Sequence, residues 1–342
     1  IEKKRLAQLE RFLSDKSPLL QTKGPDYRFD LNLELGELTT HRTEPANPSG
    51  TEYAQQIRPI VSGGVRDDFA FLTDLRFYML ANTILPNAVR VEVAEELKES
   101  GFTTAGLVPA YAKFKLPWFE LLIGRENVGW GPGRRGNLLL SANPLPMDMF
   151  QIRAQYRKIG FNAFTAVAKS LLDEDKILSA HRLDFNLWDR GNLGIAESVV
   201  VGKDAFEFRF LNPFSIYTVT ESSGGIFVDQ KAETSRGNLL VSGDVELRIF
   251  RNLALYGKVM IDDYQLRVGL VDSFRSWGSK FGIQLGLQIA DPLSIDNADV
   301  RIEYAFVNQF AYTHSRPINT YTHFDRVIGH EIGSDADDLW VN

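Results

Sequence analysis

The sequence predicts an all-β fold, a large antiparallel transmembrane β-barrel with long extracellular loops and a short N-terminal helix. The first observation behind this prediction is an alternation of apolar and polar residues, which is unbroken in the segment YRFDLNLEL at 27–35. Such alternation gives a strand one apolar and one polar face. The second observation is that short links, as at 157–160 and 189–192, take turns with long polar connections, as at 125–147 and 201–236. Short periplasmic turns and longer extracellular loops are typical of an outer-membrane barrel.

Charged side chains inside the predicted strands, such as Glu246, Arg248, Arg301 and Glu303, are the third observation. A hydrated lumen accommodates them. Aromatic residues also fall near predicted strand ends, where interfacial girdles form: they are Tyr156, Trp188, Tyr304, Phe310 and Tyr312. A soluble β-sandwich would alternate in the same way and is the structural alternative.

Composition excludes several other classes of protein. The 342 residues are 44% hydrophobic and 24% charged, which is typical of a folded chain and not of a disordered one. A net charge of −6 gives no electrostatic reason to expect nucleic acid as a partner. With no cysteine in the chain, disulfides and thiolate chemistry are impossible. No window of 18 residues is both apolar and free of charge, so the sequence predicts no transmembrane helix.

The chain divides into an N-terminal helical and linker segment at 1–24 and a barrel at 25–342. Leu6, Leu9 and Leu13 are spaced by three and four residues among charges, which predicts a short amphipathic helix. Helical periodicity is nearly absent after residue 104. The predicted strands are 27–38, 55–63, 68–80, 88–94, 105–114, 117–124, 148–157, 161–170, 181–188, 193–200, 238–250, 253–262, 278–290 and 298–312.

From residue 117 onward, inward and outward strands alternate as the loop lengths require. Before that point the alternation is out of step by one strand. We attribute the slip to a miscounted strand between 55 and 80. The alternation also predicts which residues face lipid and which face the lumen. The lipid-facing set is Leu31, Leu33, Phe281, Ile283, Leu285, Leu287 and Ile302, and the lumen set is Asn32, Glu34, Gln284, Gln288, Arg301 and Glu303.

The long connections carry a recognisable motif. Gly124 to Ser141 reads GRENVGWGPGRRGNLLLS and leads to NPLPMD at 143–148. A second stretch contains Glu303-Tyr304, then YTH at 312–314 and 321–323, and ends in DAD at 335–337. A third combines Glu197-Ser198 with LNP at 211–213. Together these stretches resemble the Wzi-type capsule assembly proteins, which are outer-membrane barrels of Gram-negative bacteria.

The resemblance implies a lectin-like protein of the bacterial outer membrane that anchors exported capsular or exopolysaccharide at the cell surface. It implies no enzymatic activity and no cofactor, with outer-membrane lipid and the polysaccharide export machinery as further partners. In this hypothesis Trp130 offers a flat ring to a sugar while polar and basic side chains bind hydroxyls or carboxylates. The candidate polysaccharide-binding residues are Arg125, Asn127, Trp130, Arg134, Arg135, Tyr312, His314, Tyr321 and His323. The structural alternative is that Trp130 is a buried anchor of a tightly folded loop.

Two other functions stay open at this point. An envelope enzyme acting on polysaccharide would need a pair of carboxylates about 5 to 10 Å apart in a cleft. A general diffusion porin would need an open lumen, whereas a lumen filled by the long loops favours the lectin.

The sequence supports a metal site less well than a polysaccharide site. His314, His323 and His330 match no zinc ligand spacing. Asp335, Asp337 and Asp338 could offer oxygens to calcium but lack the rest of a known loop.

The C-terminal segment 298–342 leads us to expect that the barrel has further strands beyond this chain. If 298–312 runs outward, then 313–342 is an extracellular excursion, and at least one further strand has to bring the chain back. An open sheet edge in lipid would leave backbone groups unpaired, each costing several kcal/mol. We therefore expect further strands after Asn342, and the abrupt helical start at Ile1 suggests a truncated N-terminus as well.

Overall fold

The computed structural model describes an all-β chain. The described residues are 18–42, 50–80, 102–104, 109–188, 190–203, 208–217, 237–262, 280–292, 295, 297–324 and 326–342. Their strands are β1 (Leu20–Lys23), β2 (Tyr27–Arg42), β3 (Gly50–Val65), β4 (Phe69–Asp74), β5 (Phe77–Leu80), β6 (Phe102–Thr104), β7 (Ala110–Lys115), β8 (Phe119–Glu126), β9 (Met147–Tyr156), β10 (Ile159–Lys169), β11 (Asp175–Leu187), β12 (Gly191–Gly202), β13 (Asn238–Phe250), β14 (Leu253–Asp262), β15 (Lys280–Ala290), β16 (Asp299–Val307), β17 (Thr322–His323), β18 (Arg326–Val327) and β19 (Ala336–Val341). Two 3₁₀ turns lie at Phe208–Leu211 and Pro317–Asn319. No helix in this described part of the chain has the length and apolarity needed to cross a membrane.

Two compact units divide the chain. The larger contains Trp118–Glu120 and Asn127–Asn342. Each strand from β9 to β16 pairs antiparallel with the next, and β19 pairs with β16. The strands predicted at 238–250 and 253–262 coincide with β13 and β14 residue for residue. The start predicted at 181 for the strand 181–188 is wrong, because β11 already pairs with β10 from Asp175 onward.

The smaller unit contains the described residues of Glu2–Pro117 together with Leu121–Glu126. Here β2 pairs with β1 and β3, β3 pairs with both β4 and β5, β4 pairs with β7, and β5 pairs with β6. Strands β4 and β5 thus lie directly beside β6 and β7. The predicted strand at 88–94 lies outside the described residues. Strands β4 and β5 both pair antiparallel with β3, as expected for the single strand predicted at 68–80, so the structure shows no miscounted strand between 55 and 80.

At the N-terminus, the helix predicted at 1–13 also lies outside the described residues. The prediction that 1–24 is helix and linker is wrong for β1, because Leu20 pairs with Leu31 as the first of four strand residues. Backbone pairing with a neighbouring strand decides the conformation of such a short segment.

Burial alternates along the strands of the larger unit as the sequence predicts. On β15 the side chain of Gln284 is fully buried while its neighbour Leu285 is 55% exposed, and on β16 Glu303 is buried beside exposed Ile302. We call the side that carries Gln284 and Glu303 the polar face, and the opposite side the apolar face. Leu183, Ile195, Leu255, Val259 and Leu285 are exposed on the apolar face. The register predicted for β15 and β16 is confirmed.

The C-terminal part departs from the prediction. Strand β16 ends at Val307 and not at 312, because Phe310 and Tyr312 adopt positive φ angles of 68° and 67°, which no extended strand accommodates. Tyr312 is consequently buried and is no girdle residue. The predicted excursion 313–342 is also wrong, since Ala336–Val341 returns as β19 and pairs with β16. Its alternation is short and lies among acidic residues, which hid it in the sequence.

Candidate functional site

Residues 127–146, which we call loop A, fold as a hairpin against the polar face. The Trp130 amide donates to the Leu140 carbonyl at 2.9 Å, and the two residues form an isolated β-bridge. Leu138, Leu139 and Leu140 are completely buried, and Trp130 is only 5% exposed with its ring edge-on to Phe164 at 5.4 Å. Loop A is thus a packed element with its own apolar core.

Three strands hold loop A through polar side chains. Lys258 on β14 donates from Nζ to the Trp130 carbonyl at 2.5 Å, and Gln284 on β15 donates from Nε2 to the Gly136 carbonyl at 2.7 Å. Glu303 on β16 accepts the backbone amides of Arg134 at 2.8 Å and Arg135 at 3.2 Å. Its carboxylate also accepts the hydroxyl of Tyr256. Buried polar groups of this kind fix a loop in one position because each would be costly to leave unpaired.

The tip of loop A points toward the ends of the strands that are joined by short turns. On β14, Tyr256 lies closer to the short turn at Arg251 and Asn252 than Lys258 does. Lys258 binds the Trp130 carbonyl at the base of loop A, whereas Tyr256 binds Glu303, which holds the tip at Arg134 and Arg135. Arg134 and Arg135 are therefore at the short-turn side of loop A. Arg135 also pairs with Glu331 at 3.0 Å and Asp338 at 3.3 Å.

Residues 308–335, which we call loop B, pack against loop A. The rings of Tyr312 and Tyr321 stack with centroids 5.9 Å apart. The Tyr312 hydroxyl donates to the Leu138 carbonyl at 2.6 Å, and the Tyr321 hydroxyl lies 2.6 Å from the Ser198 hydroxyl on β12. Burial raises the pKa of both phenols, so both stay neutral. The tyrosine pair thus links loop A to the strands.

Loop B is also fastened to the long-loop ends of several strands. The Tyr312 amide donates to Asp262 Oδ2 at 2.5 Å, and the Gly202 amide donates to Asn319 Oδ1 at 2.9 Å. Lys176 donates to the Thr320 carbonyl at 2.7 Å. These contacts reach β11, β12 and β14, so loop B spans a wide part of this end of the unit.

His330 of loop B packs against Gly136 of loop A. Its side chain is completely buried, and a Cβ added at Gly136 would lie 3.0 to 3.3 Å from its ring. Desolvation is the largest influence and lowers the pKa of His330, against the opposing effect of Glu303, Glu331 and Asp338. The histidine is therefore held neutral, and its Nδ1 accepts the Ile332 amide at 3.4 Å.

A cavity of about 290 Å³ lies between loop A and the polar face of β10 to β13. Its wall includes an ion-pair network in which Arg182 donates to Asp244 at 2.6 and 2.9 Å and to Asp184 at 2.9 and 3.0 Å. This cavity was not predictable from the sequence, because its walls come from four strands and a loop.

The structure does not bring the nine predicted site residues together. Arg125 belongs to the smaller unit. Trp130, Tyr312, Tyr321 and His323 are buried, and His323 accepts the Lys169 amide at Nδ1 at 3.0 Å. Asn127 and His314 are half-buried, whereas Arg134 and Arg135 are exposed. Burial of Trp130 supports the structural alternative for this residue.

Sequence reasoning missed several residues that position the loops: Ser198, Lys258, Asp262 and Asn319. Lys258, Asp262 and Ser198 could have been found from the sequence, because each is a polar residue in an alternating strand.

The aspartates suggested for calcium do not share a face, because Asp337 and Asp338 are consecutive strand residues and point to opposite faces of β19. Among the described residues, no group of three or more acidic or histidine side chains could hold a metal ion.

Polar side chains that hold two long loops on one face of the strands, together with exposed apolar side chains on the other face, are typical of an outer-membrane protein of the β-barrel class. Comparison with known proteins agrees. The family model for the capsule assembly protein Wzi matches residues 47–342. The chain therefore belongs to the Wzi capsule assembly family and is a protein of the bacterial outer membrane.

One solved structure shows the same fold. The chain is similar to Wzi of Escherichia coli, described as a carbohydrate-binding β-barrel involved in group 1 capsule assembly, with 16% identity, a TM-score of 0.59 and coverage of 98% of this chain and 68% of that one. It is more distantly similar to OmpF of Salmonella typhi, with 10% identity, a TM-score of 0.45 and coverage of 84% and 81%. No curated protein matches the sequence.

Proposed function

We propose that the protein is an outer-membrane lectin that binds exported capsular or exopolysaccharide at the cell surface and performs no bond chemistry. The observation that carries this proposal is the packing of loops A and B on the polar face, because a general porin needs that space open to solutes. Family membership supports the same function, since the Escherichia coli relative is described as carbohydrate-binding.

Anchoring in lipid follows from the apolar face. Leu285 and Ile195 are about half exposed in the isolated chain, and they lie on the face opposite the loops. Burying exposed apolar surface contributes about 25 cal/mol per Å². We propose that this face contacts outer-membrane lipid and leaves the loop-bearing ends for the polysaccharide.

The outward surface of loop B supplies the proposed contacts. Lys280, the first residue of β15, donates to the Thr313 carbonyl at 3.0 Å, and Asn319 is bound by the last residue of β12. Residues 313–318 thus lie between long-loop ends, where outer-membrane barrels face the exterior. His314 and Arg316 are half-buried here, and the Arg316 amide donates to His314 Nδ1 at 3.0 Å. Tyr312, Tyr321 and His323 act beneath them as positioning residues.

The experiment compares Arg316→Gln with Lys203→Gln, which removes a positive charge at an exposed position elsewhere on the long-loop side. Polysaccharide purified from the source strain is titrated into the purified protein, and cell-bound polysaccharide is measured in cells with equal barrel levels. A hydrogen bond to a charged group contributes about 1.5–3 kcal/mol, so Arg316→Gln should weaken binding roughly tenfold or more. Lys203→Gln should bind as the wild type. Failure of the wild-type protein to bind this polysaccharide would contradict the proposal.

A further inference from the structure

The cavity beside loop A has its own set of polar groups. Residues Gly129 to Pro132 form its loop side, and the strand side includes Asn162, Asn192 and Glu246. Asn192 is the second residue of β12, next to a short turn. The cavity therefore lies on the short-turn side of loop A, away from residues 313–318.

The cations near this cavity are already committed to protein partners. Arg182 uses all three of its guanidinium nitrogens on Asp184 and Asp244. Lys258 donates to the Trp130 carbonyl and lies 3.9 Å from Asp244. Glu246 adds a further negative charge to the wall. A phosphate or a uronate would meet excess negative charge here, because neither cation is free to pair with it.

The remaining groups in the wall both donate and accept hydrogen bonds. Asn162 accepts from Gln151, which leaves its own amide N–H₂ to donate, and Asn192 donates to Asn186, which leaves its carbonyl oxygen to accept. Glu246 accepts only. Sugar hydroxyls donate and accept at once, so a mixed set of this kind suits them.

We propose that this cavity is a second saccharide site, which binds one neutral sugar residue and is reached from the periplasmic side of loop A. A volume of about 290 Å³ is at the lower end of small-molecule sites, which run from about 300 to 1,000 Å³, and so admits a single ring. The proposal rests on the proposed function for its polysaccharide source, but its residues are different.

The test titrates the full-length protein in detergent micelles with glucose, galactose, mannose, rhamnose and N-acetylglucosamine, with glucuronate and glucosamine as charged probes. Saturation-transfer NMR reports binding. At least one neutral sugar should bind saturably, and Glu246→Gln and Asn192→Ala should each weaken its binding about tenfold. Asn192→Ala removes a polar group from the cavity wall, so it is a second variant should Glu246→Gln fold poorly. Lys203→Gln, an exposed charge outside the cavity, should bind the sugar as the wild type.

Three outcomes would overturn the second site: no saturable binding of any neutral sugar, tighter binding of glucuronate than of the neutral sugars, or tenfold tighter binding of glucosamine, which would indicate a cation site. The two proposals fail separately. Loss of polysaccharide binding in Arg316→Gln with no sugar bound at the cavity would overturn the second site alone. A sugar bound at the cavity without any binding of polysaccharide at loop B would overturn the proposed function alone.

Discussion

Substitution of Glu303 by glutamine tests how loop A is held. The carboxylate accepts the Arg134 amide and the Tyr256 hydroxyl at one oxygen and the Arg135 amide at the other. Glutamine keeps one accepting oxygen and places an N–H₂ group where the second oxygen was. One hydrogen bond to a charged acceptor, about 1.5–3 kcal/mol, is lost, and the others become neutral bonds of about 0.5–1.5 kcal/mol. We expect loop A to lose about 3 kcal/mol of local stability, roughly a 100-fold change in its opening equilibrium.

Hydrogen exchange of the amides at 133–137, measured in detergent micelles, reports this opening. Exchange should accelerate roughly 100-fold in Glu303→Gln while the amides of β13 and β14 keep their protection. Glu246→Gln is the matched control, because it removes a carboxylate from the same face without a hydrogen bond to the amides of loop A. Equal exchange at the tip in Glu303→Gln and wild type would refute the assignment of Glu303 as the anchor.

Three further substitutions probe the loops. Gly131 has a φ of +124°, and a Cβ there would lie 2.5 Å from Asn137 Oδ1. Gly131→Ala should therefore accelerate hydrogen exchange in loop A. Gly129→Ala is the control and should not, because a Cβ at Gly129 would lie 3.6 Å from its nearest neighbour. Trp130→Ala should cost loop A about 3–5 kcal/mol and lower polysaccharide retention more than Arg134→Ala, and equal retention would contradict this. Because the pKa of His330 is lowered in the folded loop, protection of loop B should be complete above about pH 6.5 and fall as the pH drops below it. His330→Asn should flatten that dependence, and an unchanged profile would show that another group titrates.

Strand faces were predictable because period-two alternation is a local property of the sequence. It placed Gln284 and Glu303 on one face and Leu285 and Ile302 on the other, and the structure agrees. The same reasoning failed at β19, where the alternation covers six residues rich in aspartate. It also failed at Tyr312, because an aromatic residue after a strand is equally compatible with a membrane interface and with a buried loop.

Loop packing was not predictable from the sequence. The bond from the Arg134 amide to Glu303 joins residues 169 positions apart, and that from the Tyr312 hydroxyl to Leu138 joins residues 174 apart. No local pattern encodes such pairs. The motif around Trp130 was recognisable, but whether its ring binds a sugar or anchors the loop depends on what the fold places around it. Burial against Phe164 decides for the anchor.

Loops A and B pack against the polar face, and we propose that they close the passage, so that the protein binds polysaccharide and is no general pore. Ion conductance of the purified protein in planar lipid bilayers tests it most directly, with a variant lacking residues 131–136 for comparison. The wild-type protein should give no stable conductance steps, whereas the shortened variant should give them. Stable porin-like steps from the wild-type protein would contradict it.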